Sequence, residues 1–337
     1  MDAPHAPAAP RNRKTGLIVF GIALIGMGAL CLLLVPMAAF GQVMTAKMTG
    51  DPMNWRMLVP TAVIYGLLSI VFVWLGIGAI KCRRWARTLA LVLGWTWLLV
   101  GAAALIMFIW LGPAIFNSAA AGGGQPMPPA ARAIAMVVAI GFLGVFFIVI
   151  PGALVLFFGS SHVKATVEAL DPQPRWTDAC PLPVLAVSLL AGFGAVSMLT
   201  MPVAYNGTMP FFGVILTGFV GSMLWVVLAA LLAYSAWAIY HLRPAGWWIV
   251  VLSLIVLTIS NAVTFSRIQL STLYREMGYP EKQIEQIEKF GLFGPTQMVV
   301  WTLVFMAPII GYLMFIKKYL RKGTPPPTAP GTRATAA

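Results

Sequence analysis

The sequence predicts an all-α, polytopic membrane protein with about eight transmembrane helices arranged as two parallel four-helix repeats. Three observations predict it. Of 337 residues, 60% are hydrophobic and only 9% charged, mean hydropathy is +0.89, and long apolar runs recur from residue 15 to residue 316. Soluble domains are roughly half apolar and a quarter charged, so the main solvent of this chain is the bilayer.

About 20 apolar residues in a helix rising 1.5 Å per residue cross about 30 Å of hydrocarbon. Such runs fall at 15–40, 58–80, 88–112 and 133–158, then at 182–203, 211–240, 246–266 and 295–316. The breaks hold charge or turn residues: Lys81-Cys82-Arg83-Arg84, Gly122-Gly123-Gly124-Gln125-Pro126, Asp171-Pro172-Gln173-Pro174 and His241-Leu242-Arg243-Pro244. Arg11, Arg13 and Lys14 precede the first run as in a secretory signal, but the stretch from Leu17 to Leu34 exceeds a usual signal core and reads as a retained helix.

With eight crossings, Lys and Arg divide 15 to seven in favour of the face holding both termini, which places those termini in the cytoplasm. The expected location is a bacterial inner (cytoplasmic) membrane. The net charge of +13 sits at the ends of apolar runs, so it marks topology and contact with anionic lipid headgroups, not nucleic acid. Trp55, Trp85, Trp110, Trp176, Trp247, Trp248 and Tyr240 lie near span ends, where amphipathic rings prefer the headgroup level.

The chain also resembles itself. Gly26, Gly28, Ala29, Leu33, Pro36 and Ala38 recur as Gly192, Gly194, Ala195, Leu199, Pro202 and Ala204, at an offset of 166. Ala79-Ile80 with Arg84 and Ala86 recurs as Ala238-Ile239 with Arg243 and Ala245, at 159, and Pro151, Leu156, Phe158 and Lys164 parallel Pro308, Leu313, Phe315 and Arg321, at 157. Four spans per unit return the chain to its starting side, so the repeats are parallel, related by a pseudo-twofold axis along the membrane normal with any site in the seam between them. The organisation expected is a basic tail at 1–14, a first repeat at 15–158, a connector at 159–181, and a second repeat at 182–316 containing an amphipathic outer segment at 266–294. A basic, then Pro/Ala/Thr-rich, tail follows at 317–337.

Close packing between membrane helices needs small residues, and Ser188 with Gly192, Ala191 with Ala195, and Gly218 with Ser222 have that spacing. The seventh run carries the most polar stripe: Ser253, Ser260, Asn261 and Thr264 fall at i, i+7, i+8 and i+11 on one helical face. These four form the candidate intramembrane polar site, read first as interhelical hydrogen bonding and second as the lining of a pathway. The 159 offset pairs them with Gly94, Gly101, Ala102 and Leu105, so both faces are expected to turn inward.

Outside the membrane, the connector has the densest mixture of reactive types, His162, Glu168, Asp171, Asp178 and Cys180, without a metal-ligand or nucleophile spacing. It reads as a helix stopped at Asp171-Pro172, then a tight loop. In the outer segment, Leu270, Leu273, Tyr274 and Met277 have helical spacing, and Ile284, Ile287 and Phe290 oppose Glu281, Glu285 and Glu288 beyond Pro280, predicting two short amphipathic helices. Asn206-Gly207-Thr208 matches a glycosylation sequon. Cys31, Cys82 and Cys180 have no paired spacing, so neither a disulfide nor a zinc site is expected.

No ionisable residue lies mid-span, which argues against proton-driven and voltage-sensing mechanisms. No catalytic residue, metal or cofactor is expected. The first functional expectation is a structural or interaction component with a protein partner or a second copy of itself. The second is a transporter or channel for an uncharged or amphipathic molecule, and the third is an enzyme acting on a lipid.

Overall fold

The computed structural model describes residues 12–49, 55–121, 128–289 and 295–321. Helices α1 (Lys14–Thr49), α2 (Trp55–Ile80) and α3 (Arg84–Ala121) lead into α4 (Pro129–Gly144), a π-helical turn (Val145–Val149) and α5 (Ile150–Gly159). The connector forms α6 (Ser161–Leu170) and a single 3₁₀ turn (Trp176–Asp178). Then come α7 (Leu182–Ala204), strands β1 (Met209–Phe211) and β2 (Val214–Leu216), α8 (Gly218–Tyr240), α9 (Pro244–Arg267), α10 (Leu270–Glu276), α11 (Glu281–Lys289) and α12 (Pro295–Arg321).

Among the described residues, seven helical stretches are long and apolar enough to cross a membrane: 14–44, 58–80, 84–113, 129–159, 182–204, 218–240 and 244–267. A further helix, α12, is 27 residues long. Large apolar side chains point outward along these stretches; Leu156 and Phe219 are 79% and 81% exposed. Such a surface belongs in lipid. The molecule is therefore a helical bundle with the character of an integral membrane protein.

One expected span begins later than its hydropathy implies. Residues 209–216 form an antiparallel hairpin, with Met209 paired to Leu216 and Phe211 to Val214, so helix α8 starts at Gly218 and not at residue 211. A short apolar strand has the hydropathy of a helix, and only the turn between Phe211 and Val214 separates the two. The connector also departs from a continuous fourth helix: Ser160 is extended at ψ 138° and divides α5 from α6. Helices α10 and α11 form as their periodicity predicts, burying Leu273 and Ile284, with Met277 buried just beyond α10.

Helices α1 and α2 approach most closely at glycine. A Cβ built on Gly76 would stand 2.6 Å from the Gly21 carbonyl oxygen, and one on Gly21 would stand 2.8 Å from that of Gly76. Absence of side chains lets the two backbones touch, which in lipid substitutes for a hydrophobic drive to associate. The π-helical turn has a related cause. Pro151 has no N–H to give the Phe147 carbonyl, so the helix widens there, and Gly101 of α3 packs against Phe147. The small face of α3 expected to turn inward thus rests on the π turn and α5, where Gly94 meets Val155.

The turns from α2 to α3 and from α8 to α9 share one hydrogen-bond pattern. Cys82 N–H donates to Ala79 O and Arg83 N–H to Gly78 O; Leu242 N–H donates to Ile239 O and Arg243 N–H to Ala238 O. Cys82 and Leu242 both take positive φ, 51° and 58°. The matching residues are 160 positions apart (242 − 82), one more than the sequence match implies. On this register a close contact is preserved with its members exchanged: a Cβ on Gly78 would lie 2.7 Å from Ala86 Cβ, and one on Gly246 would lie 2.8 Å from Ala238 Cβ.

Helix α1 pairs with α2, α7 with α8, α3 with α5, and α9 with α12. Between the two halves of the chain α2 packs along α7, which also meets α3, while within the second half α7 meets α12. A twofold relation would pack α8 along α1 in the same way, and among the described residues these two make no comparable contact. One continuous apolar core nevertheless joins the halves, including Leu75 and Phe158 from the first and Leu185, Ile239, Trp247 and Ile316 from the second. Trp247, expected at the membrane surface, is 2% exposed and donates its indole N–H to Leu313 O at 2.7 Å. Trp55, Trp110, Trp176 and Trp248 are exposed.

Replacing Gly76 by Val should destabilise the α1–α2 crossing by about 1–3 kcal/mol, the usual cost of overpacking. Gly26→Ala, with nothing within 4 Å of the added methyl, should leave stability unchanged or slightly raised. Thermal unfolding of the two variants in detergent micelles checks this contrast.

Candidate functional site

The polar stripe of α9 divides in two. Ser260 and Thr264 are fully buried, while Ser253 and Asn261 are half-buried and stand outside their network. Ser260 Oγ accepts from Phe212 N–H at 2.9 Å, and Thr264 Oγ1 accepts from Gly213 N–H at 3.0 Å while donating to Ser260 O at 2.8 Å. Both donors belong to the two-residue turn joining β1 to β2.

That turn explains why the hydroxyls are needed. Phe212 and Gly213 have φ of 47° and 81°, the positive values that a type I′ hairpin requires at both central positions. Glycine adopts them readily; phenylalanine does so under strain, and strain persists where the surroundings over-determine the backbone. The hydroxyls of α9 bind both turn amides and hold the tip against the helix.

The same end of the bundle is capped by α10 and α11. Thr208, fully buried, donates its hydroxyl to Glu276 O at 3.0 Å, and Trp225 donates its indole N–H to Thr208 O at 3.1 Å. Arg56 at the start of α2 reaches Asn206 Oδ1 at 2.8 Å, so the sequon asparagine serves as a tie between halves. Arg275 grips Glu281 through two hydrogen bonds of 2.7 and 3.1 Å, clamping α10 to α11. Burial, with Tyr205 and Tyr274 adding to it, pushes the Tyr279 phenol up to about 12, so that group is uncharged at neutral pH.

At the opposite end lie the connector and the start of α1, and Arg13 N–H, just before that helix, donates to Thr166 Oγ1 at 3.2 Å. Asp171 is the centre of this face, 4% exposed. It accepts from Arg175 Nη2 at 2.6 Å and Nε at 3.2 Å, and from the Arg84 backbone N–H at 3.2 Å, with Arg83 3.8 Å away. The α3 N-terminus is therefore capped by a carboxylate from 87 residues further on. The equivalent first residue of α9 is Pro244, which has no N–H and needs no cap. Asp178 accepts from Arg175 N–H at 2.9 Å and faces Arg84 Nε at 3.7 Å, and Glu168 faces Arg84 at 3.8 Å.

Three of the five reactive residues of the connector thus converge, and all three are carboxylates matched by arginines. His162 enters only through its backbone carbonyl, which accepts from Thr166. Cys180 is buried, and burial pushes its thiol up to about 11, which keeps it protonated and poorly nucleophilic at neutral pH. Arg87 Nε and Thr177 Oγ1 are buried without a hydrogen-bond partner. Among the described residues, no group of three His, Cys, Asp or Glu side chains is arranged to hold a metal ion.

Comparison of the chain with protein-family models, curated proteins and solved structures finds no match.

Two outcomes follow for these ends of the bundle. Ser260→Ala with Thr264→Val leaves two turn amides unpaired, and each should cost about 1–3 kcal/mol in thermal stability. Hydrogen bonding from Arg175, then from the Arg84 amide, holds the Asp171 carboxyl below its ordinary value against the opposing effect of burial. Its contribution is complete above the unfolded value of about 3.9 and lost as pH falls through the lower folded value. Asp171→Ala should cost at least about 1 kcal/mol, the worth of a helix cap, and flatten the acid limb of a melting-temperature profile taken from pH 7 to pH 2.

Proposed function

We propose that the protein is a non-catalytic structural or interaction component of a bacterial cytoplasmic membrane, built from two similarly oriented four-helix units with both termini in the cytoplasm. The observation that carries this reading is how the intramembrane polar groups are used. Ser260 and Thr264, the buried members of the polar stripe, hold the hairpin turn, and the core between the halves is apolar side chain. A conduction pathway would need such groups to face an opening. The matching corners at Cys82 and Leu242, with their exchanged Gly/Ala contacts, support a duplicated unit.

An oriented bundle of this kind offers partners its apolar flanks within the membrane and the ends of its helices outside it. A protein partner or second copy of the chain would meet those surfaces, and the excess of Lys and Arg attracts anionic headgroups.

The test pairs two measurements on the full chain. Native membranes solubilised gently and resolved by size should show the protein in an assembly larger than the monomer, and vesicles carrying it should be no more permeable to small uncharged solutes than empty ones. Solute flux that fell on Asn261→Ala, with thermal stability unchanged, would overturn the structural reading in favour of transport.

A further inference from the structure

A furrow of about 550 Å³ runs between α7 and α8 at the connector end of the bundle. Its floor is small: Ser188, Gly192 and Ala236 leave the space open, and a Cβ on Gly192 would find its nearest neighbour, Ala236 Cβ, 3.9 Å away. The floor is also electrically quiet, because the Ser188 hydroxyl is committed to Ala236 O at 2.7 Å. Phe193 forms one wall and Trp237 the other, and Trp176 and Tyr240 close the connector end, tied by a 2.8 Å hydrogen bond from the tyrosine hydroxyl to Trp176 O. An apolar channel opening on the lipid-facing side of membrane helices suits a hydrocarbon chain.

Charge at the mouth specifies which chain. Arg243, exposed at the start of α9, lies over the Trp237 ring at 4.4 Å from its centroid and makes no ion pair among the described residues. The nearby carboxylates of the connector are matched by Arg84 and Arg175, so none competes for it. Trp237, Trp176 and Tyr240 mark the level at which headgroups lie. A guanidinium fixed there presents donors to a phosphate.

We propose that this furrow is a binding site for one anionic phospholipid, with an acyl chain between α7 and α8 and the headgroup phosphate on Arg243. The site requires only that the chain is embedded in lipid and stands independently of the structural role proposed above.

Native mass spectrometry of the full chain in detergent, titrated with phosphatidylglycerol or with phosphatidylcholine of the same acyl chains, tests it. One phosphatidylglycerol should be retained per chain in preference to phosphatidylcholine. Arg243→Gln should lower that retention about fivefold, the effect of one cation near a phosphate, and Arg243→Lys should restore most of it. Gly192→Leu should release both lipids by filling the floor, and Ala236→Leu fills the same floor from α8 if the first variant fails to fold. Equal retention of the two lipids by the unmodified chain would overturn the proposal, as would an undiminished preference in Arg243→Gln or binding of chain-free glycerol phosphate as strong as that of the lipid.

Discussion

Within hydrocarbon, a polar group that finds no partner in the protein finds none at all. Much of the irregular geometry of this chain answers that constraint. Where Pro151 withholds a donor, the helix widens into a π turn and Gly101 closes over it. Where the hairpin turns on Phe212 and Gly213, two hydroxyls from α9 meet the exposed amides. At the two matching corners, where the helices reach the membrane surface, the first N–H of the next helix is handled in opposite ways, by importing Asp171 as an acceptor in one and by placing Pro244 in the other.

Features set by local pattern were legible in the sequence. Hydropathy alone located the long helices to within a few residues at most of their ends, because a run of apolar residues has one stable form in lipid. The spacing of Leu270, Leu273 and Met277 likewise located α10, and Asp171-Pro172 marked the end of α6, since the residue before proline is disfavoured in a helix. The hairpin at 209–216 was not legible, because its strands are short and apolar and its turn begins with phenylalanine, a residue rarely found at positive φ.

Features made by distant residues were less accessible. The Gly21–Gly76 approach depends on how α1 crosses α2, and no spacing within either helix marks it. Spacing did bring Ser260 and Thr264 to one face, but that face meets a hairpin whose existence was not visible, so their partners were out of reach. The two matching corners sit one residue away from the sequence match, because Ala79-Ile80 and Ala238-Ile239 match as letters while hydrogen bonding aligns Gly78 with Ala238. Small residues substitute for one another there, so identity misleads where geometry does not.

The long reach of the Asp171 cap also bears on biogenesis. The Arg84 amide receives its acceptor only after a further 87 residues have been made. At a synthesis rate of about 5–20 residues per second, the interval is roughly 4–17 seconds. Throughout that time the newly inserted third helix presents an open N-terminus at the membrane surface, and its completion waits on the ribosome. Translation speed between these two codons therefore sets how long that N-terminus waits for its acceptor.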